Sequence, residues 1–197
     1  MAGHGIRAAL VAMGVLCPAL GWAQAGGEGK PAVLTLEGTR IRQMVACDGR
    51  DVSVRGEHVE VLLTGPCGVV RVAGARNVVA LAGARALRVA GQHNAAVATG
   101  DIGALTIDGR SNAVMAPVRA PDGGVALVEL RGIASAARVV LHGPGRIEMR
   151  GNSHRVDWSA DEGVPEPVVE RAGRAHILRH VLPGAAMPAG PRSSAVP

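Results

Sequence analysis

The sequence contains no phenylalanine and no tyrosine, and its two tryptophans are Trp22 and Trp158. Ordinary globular cores take much of their buried area from aromatic rings. Valine, alanine, glycine and leucine dominate this chain instead. We therefore predict a narrow core filled by small aliphatic side chains, which favours a solenoid.

Lysine is almost absent as well. Lys30 is the single lysine, so the net charge of +5 comes from arginines scattered along the chain. No basic run is interleaved with aromatic residues, as nucleic-acid-binding surfaces require. We predict no nucleic-acid partner.

The first 25 residues have the pattern of a secretory signal peptide: Arg7, an apolar run over residues 8–23, and a small-residue motif ending at Ala25. A membrane anchor is the alternative, but the run is shorter than the ~20 residues that span a bilayer. Cys17 follows Leu16 rather than a small residue, which disfavours lipid attachment. We expect a periplasmic or secreted protein without a membrane span.

A degenerate repeat fills the rest of the chain. Two alternating aliphatic residues precede a glycine, and these glycines lie 17 or 18 residues apart as far as Gly109 and further apart beyond it. The repeat glycines are Gly38, Gly56, Gly74, Gly91, Gly109, Gly132, Gly151 and Gly173. The spacing predicts eight coils in one domain over residues 31–182, and the composition of residues 183–197 predicts a flexible tail.

Within a coil, the motif nearly repeats at half the period, as Val70, Val72 and Gly74 are followed by Val79, Leu81 and Gly83. Each coil is therefore predicted to hold two short strands and two turns, which gives an all-β fold, a parallel β-solenoid. A hexapeptide solenoid would need a period of six. A calcium-binding β-roll would need an aspartate in every turn, which the sequence lacks.

Three residues after consecutive repeat glycines stand Asn77, Asn94 and Asn112. Asparagines stacked at about 4.8 Å can hydrogen-bond along the pile, so we predict a structural asparagine ladder. Ser135, His154 and His176 continue the same position.

Once the signal peptide is removed, two cysteines are left, Cys47 and Cys67. Both fall near the second turn of adjacent predicted coils, and an exported protein folds in an oxidising compartment. We predict a disulfide between them, with two free thiols as the alternative.

The segment from Gly151 to Trp158, the prolines after it and the run from Gly173 to Ile177 resemble the closing part of the bacterial domain of unknown function 3060. The resemblance extends over residues 47–181 and departs from the family where His154 and His176 replace asparagine. It implies an exported repeat protein with an early cysteine pair. It implies no catalytic residues.

No motif for a serine-hydrolase elbow, a zinc protease or a phosphate loop is present. Polysaccharide lyases and hydrolases need clustered carboxylates, and here only Asp157, Asp161, Glu162 and Glu166 lie close in sequence. We expect no enzyme activity and no cofactor. A carbohydrate-active enzyme or polysaccharide-binding β-helix is the alternative.

One constellation near the last coils has two interpretations: His154, Asp157, Trp158, His176 and His180. The histidines and Asp157 could converge on a metal such as zinc. Alternatively, the histidines replace ladder asparagines and Trp158 caps the open core, as terminal coils require. The favoured function is a non-enzymatic envelope or extracellular scaffold that binds an envelope macromolecule, a protein or a polysaccharide.

Overall fold

A computed structural model describes residues 33–182, and nearly all of its regular structure is strand. A single helical turn interrupts the strands within this range, a 3₁₀ turn at Pro121–Gly123. The strands are β1 Leu34–Thr39, β2 Arg42–Ala46, β3 Val52–Glu57, β4 Glu60–Ala75, β5 Val78–Gln92, β6 Ala95–Ala98, β7 Ala104–Arg110, β8 Ala113–Val118, β9 Ala126–Ile133, β10 Ala136–Leu141, β11 Gly145–Asn152, β12 Arg155–Ala160, β13 Val168–Arg174 and β14 Ile177–His180.

These strands form two stacks of parallel strands. Sheet A contains β1, β3, the second half of β4, the second half of β5, β7, β9, β11 and β13. Sheet B contains β2, the first halves of β4 and β5, and β6, β8, β10, β12 and β14. One strand of each sheet makes a coil, so the predicted β-solenoid of eight two-stranded coils is confirmed; we number the coils 1 to 8 along the chain.

The repeat glycine stands near the end of each sheet A strand, where a side chain would clash with a neighbouring part of the chain. Gly109 has a φ of 104°, and a β-carbon on it would lie 2.1 Å from the carbonyl oxygen of Gly91 in the coil below. Two residues later the backbone enters the left-handed region, as at Ser111 with a φ of 54°. Glycine is the residue that tolerates both this conformation and this close approach.

Inward-facing aliphatic side chains from both sheets fill the space between them. Along sheet A, Val52, Val70, Leu87 and Leu105 lie in register and are fully buried. The buried residues facing them from sheet B are also mostly valine, leucine and alanine. The core is therefore as narrow as the missing aromatics predicted.

Two insertions explain the wider glycine spacing beyond Gly109. The chain between β8 and β9 contains the 3₁₀ turn, and residues 161–167 separate β12 from β13. Within the part of the chain that the structure describes, no helix is long and apolar enough to cross a bilayer. The predicted signal peptide and the predicted tail lie outside the described residues.

Candidate binding surface

The asparagine column lies in the turn from sheet A to sheet B. The Asn94 Nδ2 group donates to the carbonyl oxygen of Ala90 at 2.9 Å and to that of Gly74 at 3.0 Å, while its Oδ1 accepts from the backbone N–H of Asn77. Asn77 and Asn112 make the same set of bonds one coil lower and one coil higher. Each fully buried amide thus satisfies three backbone groups of its turn.

His154 occupies this column two coils further on and is fully buried. Its Nε2 lies 3.0 Å from the carbonyl oxygen of Arg150, and its Nδ1 lies 3.3 Å from the backbone nitrogen of Ser135. The neutral tautomer with hydrogen on Nε2 makes both bonds, because Nε2 then donates and Nδ1 accepts. The imidazole of His176 stacks on that of His154, with ring centroids 5.3 Å apart.

The other members of the predicted metal constellation lie elsewhere. Trp158 faces inward from sheet B, and His180 stacks on it with centroids 4.3 Å apart. Asp157 faces outward and accepts from Arg155 at 3.0 Å. Among residues 33–182 no three His, Cys, Asp or Glu side chains are grouped to hold a metal ion. Within these residues the possible metal site is not assembled, because His154 lies in a turn, His180 lies in register with the inward-facing Trp158, and Asp157 faces outward.

Cys47 and Cys67 form a disulfide that joins the second turns of coils 1 and 2, with Cα atoms 4.9 Å apart. Beside it, Asp51 accepts from the backbone N–H of Val69 at 2.8 Å, and this bond chiefly lowers the pKa of the Asp51 carboxyl. A β-carbon on Gly68 would lie 2.3 Å from the carboxylate. Sequence reasoning missed Asp51 because it belongs to no repeated position.

A second polar cluster was also missed. His142 Nδ1 lies 2.7 Å from Asp101 Oδ1, and Arg119 Nε lies 3.1 Å from Asp101 Oδ2. Asp161 lies 3.9 Å from the other ring nitrogen. These groups come from different coils and insertions, so no spacing in the sequence signals their proximity.

The outer face of sheet A is polar and dense with ion pairs. Glu129, Glu148 and Glu170 lie in one column, beside Arg131, Arg146 and Arg150. Glu129 is only 7% exposed, because Thr106 and Glu148 flank it in register and Arg131 covers its carboxylate. Stacking at the strand spacing buries even outward-facing side chains in the middle of the sheet.

The outer face of sheet B is apolar rather than charged over coils 2 to 5. This apolar part of the face is the candidate binding surface, and we call it the apolar stripe. Its residues lie in two adjacent columns in register: Leu62, Ala80, Val97 and Met115 in one, Val78, Ala95 and Ala113 in the other. Leu62, Val78 and Val97 are 41–49% exposed.

Charged residues lie next to the stripe at both ends. At the N-terminal end, Arg42 pairs with Glu60 at 2.6 Å in the column of Val78, whereas the column of Leu62 continues in coil 1 with Met44, which is 71% exposed. At the other end, Arg138 follows Met115 in register and Asp157 follows Arg138. Arg138 has no ion-pair partner among residues 33–182, unlike Asp157, which is paired with Arg155. The alternation in the second strand of each coil contains this signal, since both outward positions of the stripe are aliphatic in coils 3 to 5 and one of them, Leu62, is aliphatic in coil 2.

This geometry offers contact rather than chemistry. The seven side chains of the stripe include no nucleophile, acid or base. Trp158, the only aromatic residue among residues 33–182 apart from histidines, is 7% exposed, so its ring is not available for a sugar to stack on. Contiguous exposed apolar surface with a polar rim is typical of protein–protein interaction sites.

Residues 54–96 match the model of a family described as "Protein of unknown function (DUF3060)". This match covers coils 2 to 4 and confirms the resemblance there. The segment from Gly151 to Ile177, where the resemblance also rested, lies outside it. No curated protein matches the chain, and no solved structure matches it.

Proposed function

We propose that this DUF3060-like β-solenoid is an exported, non-enzymatic envelope protein, a rigid scaffold that binds another protein through the apolar stripe. Export is supported by the pattern of residues 1–25 and by the disulfide, which forms in oxidising compartments. The scaffold is rigid because every inner strand is hydrogen-bonded on both sides.

The single observation that carries the proposal is the contrast between the two outer faces. Sheet A presents polar and charged side chains, many of them in ion pairs within the molecule, whereas sheet B exposes aliphatic side chains over four consecutive coils. Removing apolar area from water contributes roughly 25 cal/mol per Å². A protein with its own apolar patch gains this free energy; a polysaccharide, which needs aromatic platforms and polar partners, gains little.

A photo-crosslinking amino acid tests the contact in living cells. We expect one placed at Val97, on the stripe, to form a discrete adduct in the envelope fraction. The matched control is Ala90, which is exposed on the outer face of sheet A. Equal adducts from both positions, or recovery of the protein in the cytoplasmic fraction with residues 1–25 intact, would overturn the proposal.

The absence of catalysis needs its own test, since carbohydrate-active enzymes are the alternative. Asp157 is held by Arg155, and Asp161 lies beside His142 rather than beside Asp157. We expect no turnover of cell-wall or capsular polysaccharides. Turnover that disappears in Asp157→Asn or Glu162→Gln, with unchanged folding, would establish the enzyme instead.

A further inference from the structure

We infer that a line of basic side chains along one edge of the solenoid binds a linear acidic polysaccharide through its carboxylates. The line follows the turns from sheet A to sheet B in coils 1 to 5. We call it the basic ridge, and its residues are Arg40, His58, Arg76, His93 and Arg110. The ridge lies in the turns and not on the outer face of sheet B, so this inference goes beyond the proposed function, and the two can fail separately.

Backbone hydrogen bonds between coils hold the ridge positions one above another. The N–H group of Arg40 donates to the carbonyl oxygen of Glu57 in the next coil at 3.0 Å. His58, Arg76 and His93 make the equivalent bond to the coil that follows each of them, at 3.0–3.1 Å. Successive ridge positions are therefore separated by one coil, about 4.8 Å. Basic residues that are scattered in the sequence form one continuous line on the folded protein.

The five side chains of the ridge are exposed, and none has an ion-pair partner among residues 33–182. The adjacent Arg42 differs, since it is paired with Glu60. In the first two positions after the repeat glycines of coils 1 to 5, Glu57 is the only carboxylate. Asp108 precedes its glycine and lies in register with Arg131 on sheet A. The ridge therefore presents three guanidinium groups against one carboxylate.

The turn itself does not require a basic residue. In coils 1 to 4 the second residue after the repeat glycine has a φ of 55–56°, in the left-handed region: Arg40, His58, Arg76 and His93. Coils 5 to 8 place serine or alanine there with φ values of 54–59°: Ser111, Ala134, Ser153 and Ala175. Glycine and asparagine adopt this conformation more readily than arginine does. The contacts that the ridge makes, and not its backbone, therefore account for the basic residues.

The chemistry of the ridge fits a chain that carries carboxylates and hydroxyl groups at regular intervals. Arg40, Arg76 and Arg110 belong to alternate coils, about 9.6 Å apart along the stack. Guanidinium groups bind carboxylates through two parallel hydrogen bonds. His58 and His93 lie in the coils between them, and a neutral imidazole can both donate to and accept from hydroxyl groups. A linear chain of uronic acids supplies both kinds of partner.

The lack of aromatic residues on the ridge favours a polysaccharide over a single-stranded nucleic acid. Unpaired bases bind by stacking on aromatic rings. Trp158, the only aromatic residue among residues 33–182 apart from histidines, is buried. A polysaccharide that is bound through its carboxylates needs no such ring. The pattern of residues 1–25 supports export, and acidic polysaccharides are linear polyanions that an exported protein meets.

Fluorescence polarisation of a labelled polygalacturonate oligomer, long enough to span five coils, tests the ridge in the protein expressed from its full sequence. Arg40→Ser combined with Arg76→Ser should weaken binding about tenfold, because two exposed charge pairs are lost. The turn should be kept, since coils 5 and 7 have serine at this position. The matched control is Arg88→Ser combined with Arg179→Ser, which removes the same charge from exposed positions outside the ridge. It should leave the affinity unchanged at physiological ionic strength, where distant charges are screened.

A change of probe separates the charge of the ligand from its carbohydrate chain. The methyl ester of the same oligomer keeps the sugars and loses the charge, so it should not bind. Polyphosphate keeps the charge without sugar hydroxyls, so it should bind severalfold more weakly. No binding of the acidic oligomer, an equal loss of affinity in the two double variants, or binding of the ester would overturn the ridge as the site. Equal binding of polyphosphate would overturn the polysaccharide as its ligand.

Discussion

Coils 3 to 5 and coils 6 to 8 use the same turn with different side chains. In the first group each buried asparagine bonds two carbonyl groups and one N–H group. In the second group His154 bonds one of each, and the buried Ser135 Oγ has no partner. The backbone course is therefore maintained by glycine and strand register, while the ladder side chain decides how well the turn is satisfied.

The two ends of the solenoid differ in a similar way. Coils 1 and 2 are joined covalently by the disulfide, whereas the core of coils 7 and 8 is closed by the stack of Trp158 and His180. Covalent closure restricts the unfolded chain, and stacking acts only in the folded one. We expect local opening to begin at the C-terminal coils.

The largest effect should come from the repeat glycines, and it should be the same in both groups. Gly109→Ala and Gly151→Ala place a β-carbon 2.0–2.1 Å from a carbonyl oxygen of the preceding coil. We expect each to lower the free energy of unfolding by about 4 kcal/mol or more, as measured by denaturant titration. Gly143→Ala is the matched control, because its β-carbon meets nothing within 4 Å. Unequal losses would show that the two groups differ in backbone and not only in side chains.

Removal of the disulfide should have the next largest effect and should be confined to the N-terminal end. Its loop has a sequence separation of 20 residues, so Cys47→Ala with Cys67→Ala should cost about 3 kcal/mol in the chain-entropy model. Hydrogen exchange should accelerate in β1 and β2 and stay unchanged in β13 and β14. Uniform acceleration along the chain would contradict independent ends.

Substitution of an asparagine in the ladder tests the difference between coils 3 to 5 and coils 6 to 8 directly. Asn112→Ser leaves two carbonyl groups and one N–H without their partners, because a hydroxyl is too short to reach them. We expect a loss of roughly 2 to 3 kcal/mol in the free energy of unfolding. Asn112→Asp separates size from chemistry, since a carboxylate of equal size cannot donate to the carbonyl groups. If serine were tolerated at this position, the ladder would contribute nothing.

Acid should weaken the N-terminal end through Asp51. Its pKa is lowered in the folded protein, first by the Val69 N–H and also by Arg71, so the folded state favours the carboxylate. This stabilisation is complete above the ordinary pKa of an aspartate and is lost as the pH falls through the lower, folded value. Asp51→Asn should cost about 1 to 2 kcal/mol at neutral pH and flatten the acid limb of the stability curve. An unchanged acid limb, measured by urea unfolding at several pH values, would exclude this role.

The smallest effect should be a gain. Ser135→Asn introduces the amide that coils 3 to 5 use, in place of the Ser135 hydroxyl, which has no partner in coil 6. We expect stabilisation by about 1 kcal/mol, with slower hydrogen exchange in β10. Ser135→Ala is the control, since it removes the unpartnered hydroxyl without adding any bond. A gain from alanine as large as that from asparagine would attribute the effect to burial alone.

Much of the architecture could be predicted from the repeat, because the spacing of its glycines and aliphatic residues follows the backbone geometry directly. It placed Asn77, Asn94 and Asn112 in one column and Cys47 next to Cys67. The repeat did not predict which side chains lie close together where this depends on side-chain direction or on insertions. Asp157 and Trp158 are neighbours in sequence yet lie on opposite faces, and Asp101 meets His142 across 41 residues. The apolar stripe follows from alternation in the second strands, but its two columns need the register between coils, which the degenerate second half of the repeat does not fix.

The continuous register of sheet A over coils 2 to 5 has a consequence for how such a chain changes length. Val52, Val70, Leu87 and Leu105 occupy equivalent sites, so one coil is interchangeable with the next at the level of the backbone. An in-frame duplication or deletion of 17 or 18 codons would therefore lengthen or shorten the molecule by one step of about 4.8 Å and leave both ends intact. The length of the solenoid is therefore set by the number of repeats that the gene encodes.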